Sequence, residues 1–259
     1  MSQTLIDYYN AYDEDGRLEL RHGSVEFLTT MRYIEKYLQS GARVLEIGAG
    51  TGRYSHALAR QGFSVDAVEL VPKHIEIFKS KITPDEKITI REGNALDLSD
   101  FHDNTYDITL LLGPMYHLYS TEDKLKALSE AIRVTKKGGV VFVAYCSTDA
   151  SILDYGFKRG EAFNLVEKHM LDTETFVAHS EPEDIFELVR REDIDVLMAN
   201  FEVERLHFVG TDMFTKYITA EIFAMDDATF ELYLKYHFFI CERADMVGIS
   251  HHTLDIFRK

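Results

Sequence analysis

Short apolar segments alternate with stretches of helical periodicity along the first half of the chain. Apolar side chains in residues 24–39 recur at helical spacing, and Gly41 follows where that helix would end. The pattern then predicts strands at residues 43–47, 64–69, 87–92 and 106–112, with helices over 54–60 and 72–81 between them. This alternation is typical of a parallel sheet wound with crossover helices.

The alternation of predicted helices and strands continues into the second half of the chain and then stops. A helix is predicted from Thr121, the Lys-Lys-Gly-Gly segment 136–139 is expected to end it, and a strand is expected at 140–145. Residues 147–179 carry no strand pattern and form too long a connection for a compact sheet. A segment of this kind usually covers a functional site.

Beyond this segment, the pattern predicts one more helix, two strands and a long helical region. Ser180 and Glu183 have the spacing of a capping box, which predicts a helix to about residue 191. Strands are expected at 202–209 and 251–257. Residues 211–243 are helical in character and rich in aromatic side chains, which fits core packing or a wall of a substrate site.

Composition places the 259-residue chain among ordinary globular proteins, with 46% hydrophobic and 28% charged residues. The formal net charge of -16 disfavours nucleic acid and anionic membranes as partners. The start lacks a signal-peptide pattern and no apolar run has membrane-spanning length, so we expect a cytoplasmic protein. Cys146 and Cys241 lack metal-ligand spacing, and no metal site is expected.

The strongest chemical signal is the segment VLEIGAGTGRY at 44–54, between a predicted strand and a predicted helix. Its glycines let the backbone approach a nucleotide-like ligand closely, and the helix start offers free amides. The dinucleotide fingerprint would require a glycine at position 53, where this chain has Arg53. The carboxylate of Glu46 suits an ammonium group better than a pyrophosphate. The segment therefore favours S-adenosylmethionine over NAD.

The E-x-G-x-G-x-G pattern resembles motif I of the class I S-adenosylmethionine-dependent methyltransferases. Glu69 ends the second strand as the family's ribose-binding acid does, and GNALDL at 93–98 resembles the segment that reads the adenine edge. Asn94 replaces the commoner Asp there, which alters the polarity of its hydrogen bond. The resemblance covers residues 40–146 well and implies an α/β fold with a doubly wound, seven-stranded, mostly parallel sheet.

The resemblance also implies a set of cofactor-binding residues. An amino-terminal arm, residues 1–23, would close over the cofactor through its tyrosines Tyr8, Tyr9 or Tyr12, while Arg17 would bind the cofactor carboxylate or else pair with neighbouring acids. The expected cofactor contacts are Tyr12, Arg17, Glu46, Gly48, Ala49, Gly50, Gly52, Glu69, Leu70, Asn94, Ala95, Leu112 and Gly113.

His117 follows the fourth strand, at the sheet edge where open α/β folds bind ligands. It is a candidate general base, or a structural histidine bonded to a loop carbonyl. Methyl transfer from a sulfonium needs little acid-base help, so alignment of the reactants would suffice.

These observations predict one methyltransferase domain over residues 1–259, in which the insertions 147–179 and 211–243 roof a small-molecule site. Candidate lining residues are Tyr116, His117 and Tyr145 below, and Tyr155, Phe157 or Arg159 above. A nicotinamide oxidoreductase, a non-catalytic cofactor-binding protein and an RNA or protein methyltransferase remain alternatives. The sequence identifies neither the methyl acceptor nor the oligomeric state.

Overall fold

A central sheet of eight strands organises the computed structural model, which describes residues 3–12, 16 and 20–259. Strands β1 to β5 are parallel, and β8 runs antiparallel between β5 and β7. The order is β3-β2-β1-β4-β5-β8-β7, and the short β6 pairs with the end of β5. The predicted, mostly parallel sheet is confirmed. The strands are β1 (Arg43–Ile47), β2 (Ser64–Glu69), β3 (Ile88–Glu92), β4 (Tyr106–Leu111), β5 (Thr135–Ser147), β6 (Leu188–Val189), β7 (Glu204–Gly210) and β8 (His252–Arg258).

Helices cover both faces of this sheet and one end of it. A π-helical segment, Ile152–Lys158, directly follows the short helix after β5, and 3-10 turns occupy Pro114–His117, Pro182–Asp184 and Val247–Ile249. In the described part of the chain, none of the helices is both long enough and apolar enough to cross a membrane. The α-helices are α1 (Gln3–Ala11), α2 (Arg21–Tyr37), α3 (Arg53–Arg60), α4 (Pro72–Lys81), α5 (Thr121–Val134), α6 (Thr148–Ser151), α7 (Ala162–Glu167), α8 (Arg191–Met198), α9 (Thr219–Ala224) and α10 (Asp227–Ile240).

The central strands are buried on both faces, which explains their continuous apolar sequence. Successive side chains of a strand point to opposite faces. Leu110 of β4 therefore packs in a cluster with α2 and α3, whereas Leu111 packs in a second cluster with α5 and α8. The two clusters hold the strand ends, and the loops that follow them, in fixed positions.

The Lys-Lys-Gly-Gly segment does not separate α5 from the next strand, contrary to the prediction. Strand β5 begins at Thr135, directly after α5 ends at Val134. The amide of Gly138 donates to the carbonyl of Lys259, and the amide of Lys259 donates to Gly139. This pairing with the end of the chain keeps the segment extended.

The predicted helix over 180–191 is also wrong. The capping box lies one residue later, between Glu181 and Asp184, and closes only a 3-10 turn. Ile185 then has a φ of 71°, which a continuing helix cannot accommodate. The chain turns there into β6, and α8 begins only at Arg191.

The region 211–243 is helical only from Thr219 onward. Before it, the carboxylate of Asp212 accepts hydrogen bonds from the hydroxyl of Ser250 and the amide of His251 at 2.6 and 2.8 Å. These bonds tie residues 211–218 to the segment that leads into β8, so this part follows the sheet edge instead of forming a helix.

We expect Phe142→Ala to lower the free energy of unfolding by about 3–5 kcal/mol, because the Phe142 side chain is fully buried in the centre of β5. Urea denaturation measures the change. Phe239→Ala is the matched control, since 76% of Phe239 is exposed on α10 and its loss should change stability by less than about 0.5 kcal/mol. Equal effects of the two variants would contradict this assignment of the core.

Candidate functional site

The glycine-rich turn after β1 lies at the carboxyl edge of the sheet. Gly48 has a φ of +74°, and a Cβ added there would lie 2.6 Å from the Cδ of Pro114. Gly52 has a φ of +90°, and its Cβ would lie 2.6 Å from the ring of Phe78. Glycine is therefore required at both positions. The turn leaves its backbone exposed to a ligand instead of covering it with side chains.

The Glu69 carboxylate joins this turn to the end of β2. Its Oε2 accepts the amide of Gly50 at 2.7 Å, and its Oε1 accepts the amide of Val71 at 2.8 Å. Each carboxylate oxygen can accept more than one hydrogen bond, so both retain capacity for a ligand's hydroxyl groups. The side chain is nearly buried but lines a pocket, and its two protein bonds fix its orientation.

Glu46 lies beneath the turn, 2% exposed, and accepts a hydrogen bond from the hydroxyl of Ser55. Burial raises the pKa of the Glu46 carboxyl to about 8, and the bond from Ser55 offsets only part of that shift. The nearby carboxylate of Glu69 acts in the same direction as burial. Glu46 is therefore largely protonated at neutral pH, and a cationic ligand group beside it would favour the ionised form.

A pocket opens between the turn, the end of β2 and the loop after β4. Sequence-predicted residues contribute much of its lining, and the structure brings them together around Glu69. They are Gly48, Gly50, Glu69, Leu70, Ala95, Gly113 and His117.

The other predicted site residues lie around this pocket without lining it. Ala49 is buried in the turn, and Gly52 caps the start of α3. The Asn94 Oδ1 accepts the amide of Leu96, which closes a local turn. Tyr12 lines a neighbouring pocket. Leu112 packs beside one of the core clusters. Arg17 lies outside the described residues, so its predicted role is not addressed.

Several residues that sequence reasoning did not assign to cofactor binding also line the pocket. His74, on the first turn of α4, has its Nδ1 3.7 Å from Glu69 Oε1. The sequence signal that could have identified His74 is its position five residues after Glu69, the predicted ribose-binding acid. Tyr9 is one of the predicted arm tyrosines and Tyr116 a predicted substrate-lining residue, and the structure places both in this lining. The remaining lining residues were not predicted: Leu5, Val71, Gly93 and Pro114.

Helix α1 of the predicted arm covers the pocket. The Lys73 side chain donates to the carbonyl of Asn10 at 2.6 Å, which ties α1 to α4. The ring of Tyr9 packs edge-on against His74 at 5.1 Å between centroids. The Tyr9 hydroxyl lies 2.9 Å from His117 Nε2. The arm therefore contacts both the Glu69 side and the His117 side of the pocket.

The hydrogen bonds of His117 fix its tautomer. Its Nδ1 lies 2.8 Å from the carbonyl oxygen of Ile185, which can only accept, so Nδ1 carries the proton. In the neutral ring, Nε2 then accepts from the Tyr9 hydroxyl. Burial lowers the pKa of His117 to about 4, against the opposing effects of the Ile185 carbonyl and the Glu69 charge. His117 thus presents a neutral acceptor nitrogen at the pocket wall.

Of the proposed substrate-lining residues, Tyr116 and His117 line the first pocket, whereas Tyr155 and Arg159 line a further one near the first insertion. Phe157 is 59% exposed, and Tyr145 is buried within the sheet core. The sequence therefore identified the loop after β4 and parts of the insertion, and the structure divides them among separate pockets.

Comparison with known proteins links this geometry to a family. Residues 45–143 match the family described as a methyltransferase domain. A demethylmenaquinone methyltransferase from Clavibacter sepedonicus is 32% identical over 110 residues, which cover 42% of this chain and 43% of the relative. A glycine/sarcosine N-methyltransferase from Aphanothece halophytica is 30% identical over 129 residues, covering 49% and 48%. The chain spans about half the length of the curated relatives it matches.

The fold likeness extends over most of the chain. The crystal structure of an S-adenosylmethionine-dependent methyltransferase from Methanosarcina mazei superposes with a TM-score of 0.58 at 18% identity. The superposition covers 88% of this chain and 96% of the other. The match thus includes regions of the fold that lie outside residues 45–143.

We expect His117 to remain neutral, with its proton on Nδ1, from pH 8 down to about pH 5, and to take up a second proton only near pH 4. Nitrogen-15 NMR of the histidine side chains measures both, and His117→Gln identifies the signal. An unfolded histidine binds its proton near pH 6.5, so His117 stabilises the fold above that pH and loses this contribution as the pH falls towards 4. Protonation of His117 near pH 6.5 in the folded protein would contradict the prediction.

Proposed function

We propose that the protein is a class I S-adenosylmethionine-dependent methyltransferase that transfers a methyl group to an N, O or C nucleophile of a small molecule. The match of residues 45–143 to the family described as a methyltransferase domain supports this. The methyl acceptor is not identified. The observation that carries the proposal is the Glu69 carboxylate, oriented by two backbone amides at the mouth of the glycine-rich turn.

The residues of the pocket fit the proposed cofactor. Glu69 would accept the two ribose hydroxyls, one at each oxygen. Gly48 and Gly50 line the pocket without side chains, and the missing Cβ of Gly48 lets Pro114 pack against the turn. Glu46 lies buried beneath the turn, and its carboxyl would pair with the ammonium group of the amino-acid end. Ala95 lines the pocket and would read the adenine edge through its backbone amide, as the family resemblance implies, whereas the Asn94 side chain is engaged in a local turn.

The cofactor supplies an activated methyl group, and the chain's own residues would orient the acceptor and handle its proton. His117 Nε2 would accept a proton from the nucleophile, but only after its hydrogen bond from Tyr9 is exchanged for one from the acceptor. A histidine whose pKa lies near 4 is a weak base. Most of the rate would therefore come from alignment in a pocket from which α1 excludes water.

A small acceptor fits the parts of the chain that enclose the site. We propose that residues 1–259 form one domain, with the arm 1–23 over the cofactor and the insertions 147–179 and 211–243 as a substrate cap. The Lys158 side chain, in the first insertion, donates to the carbonyls of Lys216 and Tyr217, in the second, at 3.4 Å. The two insertions thus meet each other, as a common cap requires.

The same proposal covers the partners of the protein and its cellular compartment. The net charge of -16 argues against nucleic acid and anionic membranes as partners. Cys146 and Cys241 are both free and buried, which agrees with a reducing compartment such as the cytoplasm. The curated relatives named above carry names that refer to small molecules, which supports an acceptor of that kind.

We expect the protein to bind S-adenosylmethionine and S-adenosylhomocysteine and to bind NAD far more weakly. Isothermal titration calorimetry with the three ligands tests this. Glu69→Ala should weaken binding of both adenosyl ligands by about 1.5–3 kcal/mol, roughly tenfold or more, because hydrogen bonds to a charged group are lost.

The matched control for this experiment is Glu92→Ala. Glu92 ends β3 beside Glu69 in the sheet register but is exposed and does not line the pocket. Urea denaturation establishes that both variants fold. Unchanged affinity in a folded Glu69→Ala protein would refute the ribose role, and tight binding of NAD with neither adenosyl ligand bound would refute the proposed function.

We also expect cofactor binding at pH 7 to release more than half a proton per ligand. The Glu46 carboxyl has a pKa of about 8 before binding, and a ligand ammonium beside it would shift the carboxyl to its ionised form. Calorimetry in buffers of different ionisation enthalpy measures the released proton. Glu46→Gln keeps the shape of the side chain and should abolish the release; equal proton release by the two proteins would contradict the placement of the ammonium group.

A further inference from the structure

A second pocket adjoins the proposed cofactor site and shares two of its walls. Tyr9 and Tyr116 line both pockets, so a molecule in the second lies directly beside the first. Further aromatic rings, including Phe186, complete the wall nearest to Tyr116. Lys216 and His252 also line it. This pocket therefore combines aromatic rings, two of which it shares with the cofactor site, with two cationic side chains.

Lys216 also lines a third pocket, which lies where the two insertions meet. Lys158 and Arg159, from the first insertion, face this pocket together with His251. The carboxylate of Asp154 is the one acidic group among the described lining residues. The pocket is thus locally rich in cations, although the whole chain carries a net charge of -16.

The acidic groups around these cations are already engaged. Asp154 pairs with Arg159 at 2.7 Å and with Lys158 at 3.4 Å. Asp212 lies 4.0 Å from Lys216, but the same carboxylate accepts a hydrogen bond from His252 Nδ1 at 2.8 Å. One carboxylate therefore faces two of the lining cations, and a second is shared between Lys216 and His252.

The charge of His252 follows from its neighbours. Burial alone would lower the pKa of His252, but the carboxylate of Glu26, 3.4 Å from Nδ1, and that of Asp212 together raise it to about 10. His252 is thus a cation at neutral pH, and it neutralises much of the charge of Asp212. Lys216 and His252 together face the two carboxylates of Asp212 and Glu26. Lys158 and Arg159 share only that of Asp154, so the excess of positive charge lies in the third pocket.

His251 also borders the third pocket. Its side chain lines the third pocket and the residue is only 7% exposed, yet neither ring nitrogen has a hydrogen-bond partner among the described residues. Burial lowers the pKa of His251 to about 4, so the ring is neutral and offers one donor and one acceptor. Both ring nitrogens are themselves buried, so the part of His251 that borders the pocket is not its hydrogen-bonding edge.

We propose that the methyl acceptor is an anionic molecule with a flat, unsaturated body, whose carboxylate or phosphate group binds beside Lys216 while its body lies against Tyr116 and Phe186. This inference rests on the proposed function, since it names the substrate class of the same site. The nearby Lys158 and Arg159 would add to the attraction for the anionic group.

The test uses the full chain saturated with S-adenosylhomocysteine and three simple probes: benzoate, phenyl phosphate and the neutral benzamide. NMR titration measures their affinities. We expect at least one anionic probe to bind about tenfold more tightly than benzamide, and Lys216→Met to weaken that probe about tenfold without affecting benzamide. Preference for benzoate or for phenyl phosphate distinguishes a carboxylate from a phosphate acceptor.

The matched control is Lys235→Met, which removes the same charge from an exposed position on α10 that lines none of these pockets. It should leave every affinity unchanged. Equal affinities for anionic and neutral probes, or equal losses in the Lys216 and Lys235 variants, would overturn the proposal. Binding of S-adenosylhomocysteine is measured separately: its absence refutes the proposed function, whereas its presence without a Lys216-dependent anion site refutes only this inference.

Discussion

The Glu69 carboxylate holds together the two strand ends on which the candidate site is built. Strand β1 ends in a turn whose amides at Gly48 and Ala49 donate to the carbonyl of Val68, and Gly50 donates to the Glu69 side chain next to it. The same carboxylate accepts the amide of Val71, just before α4 begins. One acidic residue therefore sets the position of the glycine-rich turn and of the helix that carries His74. A ligand that binds Glu69 meets a surface that is already ordered.

The parts of the fold that local sequence determines were predictable. The bounds of β1, β2 and α4 agree with the prediction. A buried parallel strand needs a continuous apolar run, the glycines indicate the turn after β1, and Pro72 indicates the start of α4. The segment around β6 was not predictable in the same way. Its short strand exists because Leu188 pairs with Cys146, and the preceding turn depends on a positive φ at Ile185. Both are consequences of tertiary contacts, which override a capping-box pattern.

The same distinction applies to the site. Glu69 and the glycines lie within one motif, so spacing and family resemblance could identify them. Tyr9 and His117 are 108 positions apart, and only the folded arm brings the hydroxyl to the imidazole. Lys216 and His251 belong to different segments around β8, and no local pattern distinguishes them from other charged or polar residues. Sequence therefore indicated the proposed cofactor pocket better than the proposed acceptor pocket.

The contact between Tyr9 and His117 connects closure of the arm with the chemistry of the pocket. With Nδ1 committed to the carbonyl of Ile185, the only lone pair of the neutral ring is on Nε2, and Tyr9 occupies it. An acceptor that approaches His117 must compete with this phenol, or else deliver its proton to a ring whose basicity burial has already reduced. Strong base catalysis is thus incompatible with the arm in this position. The arrangement favours a reaction in which enclosure and alignment, which the arm improves, contribute more than proton abstraction, which it impedes.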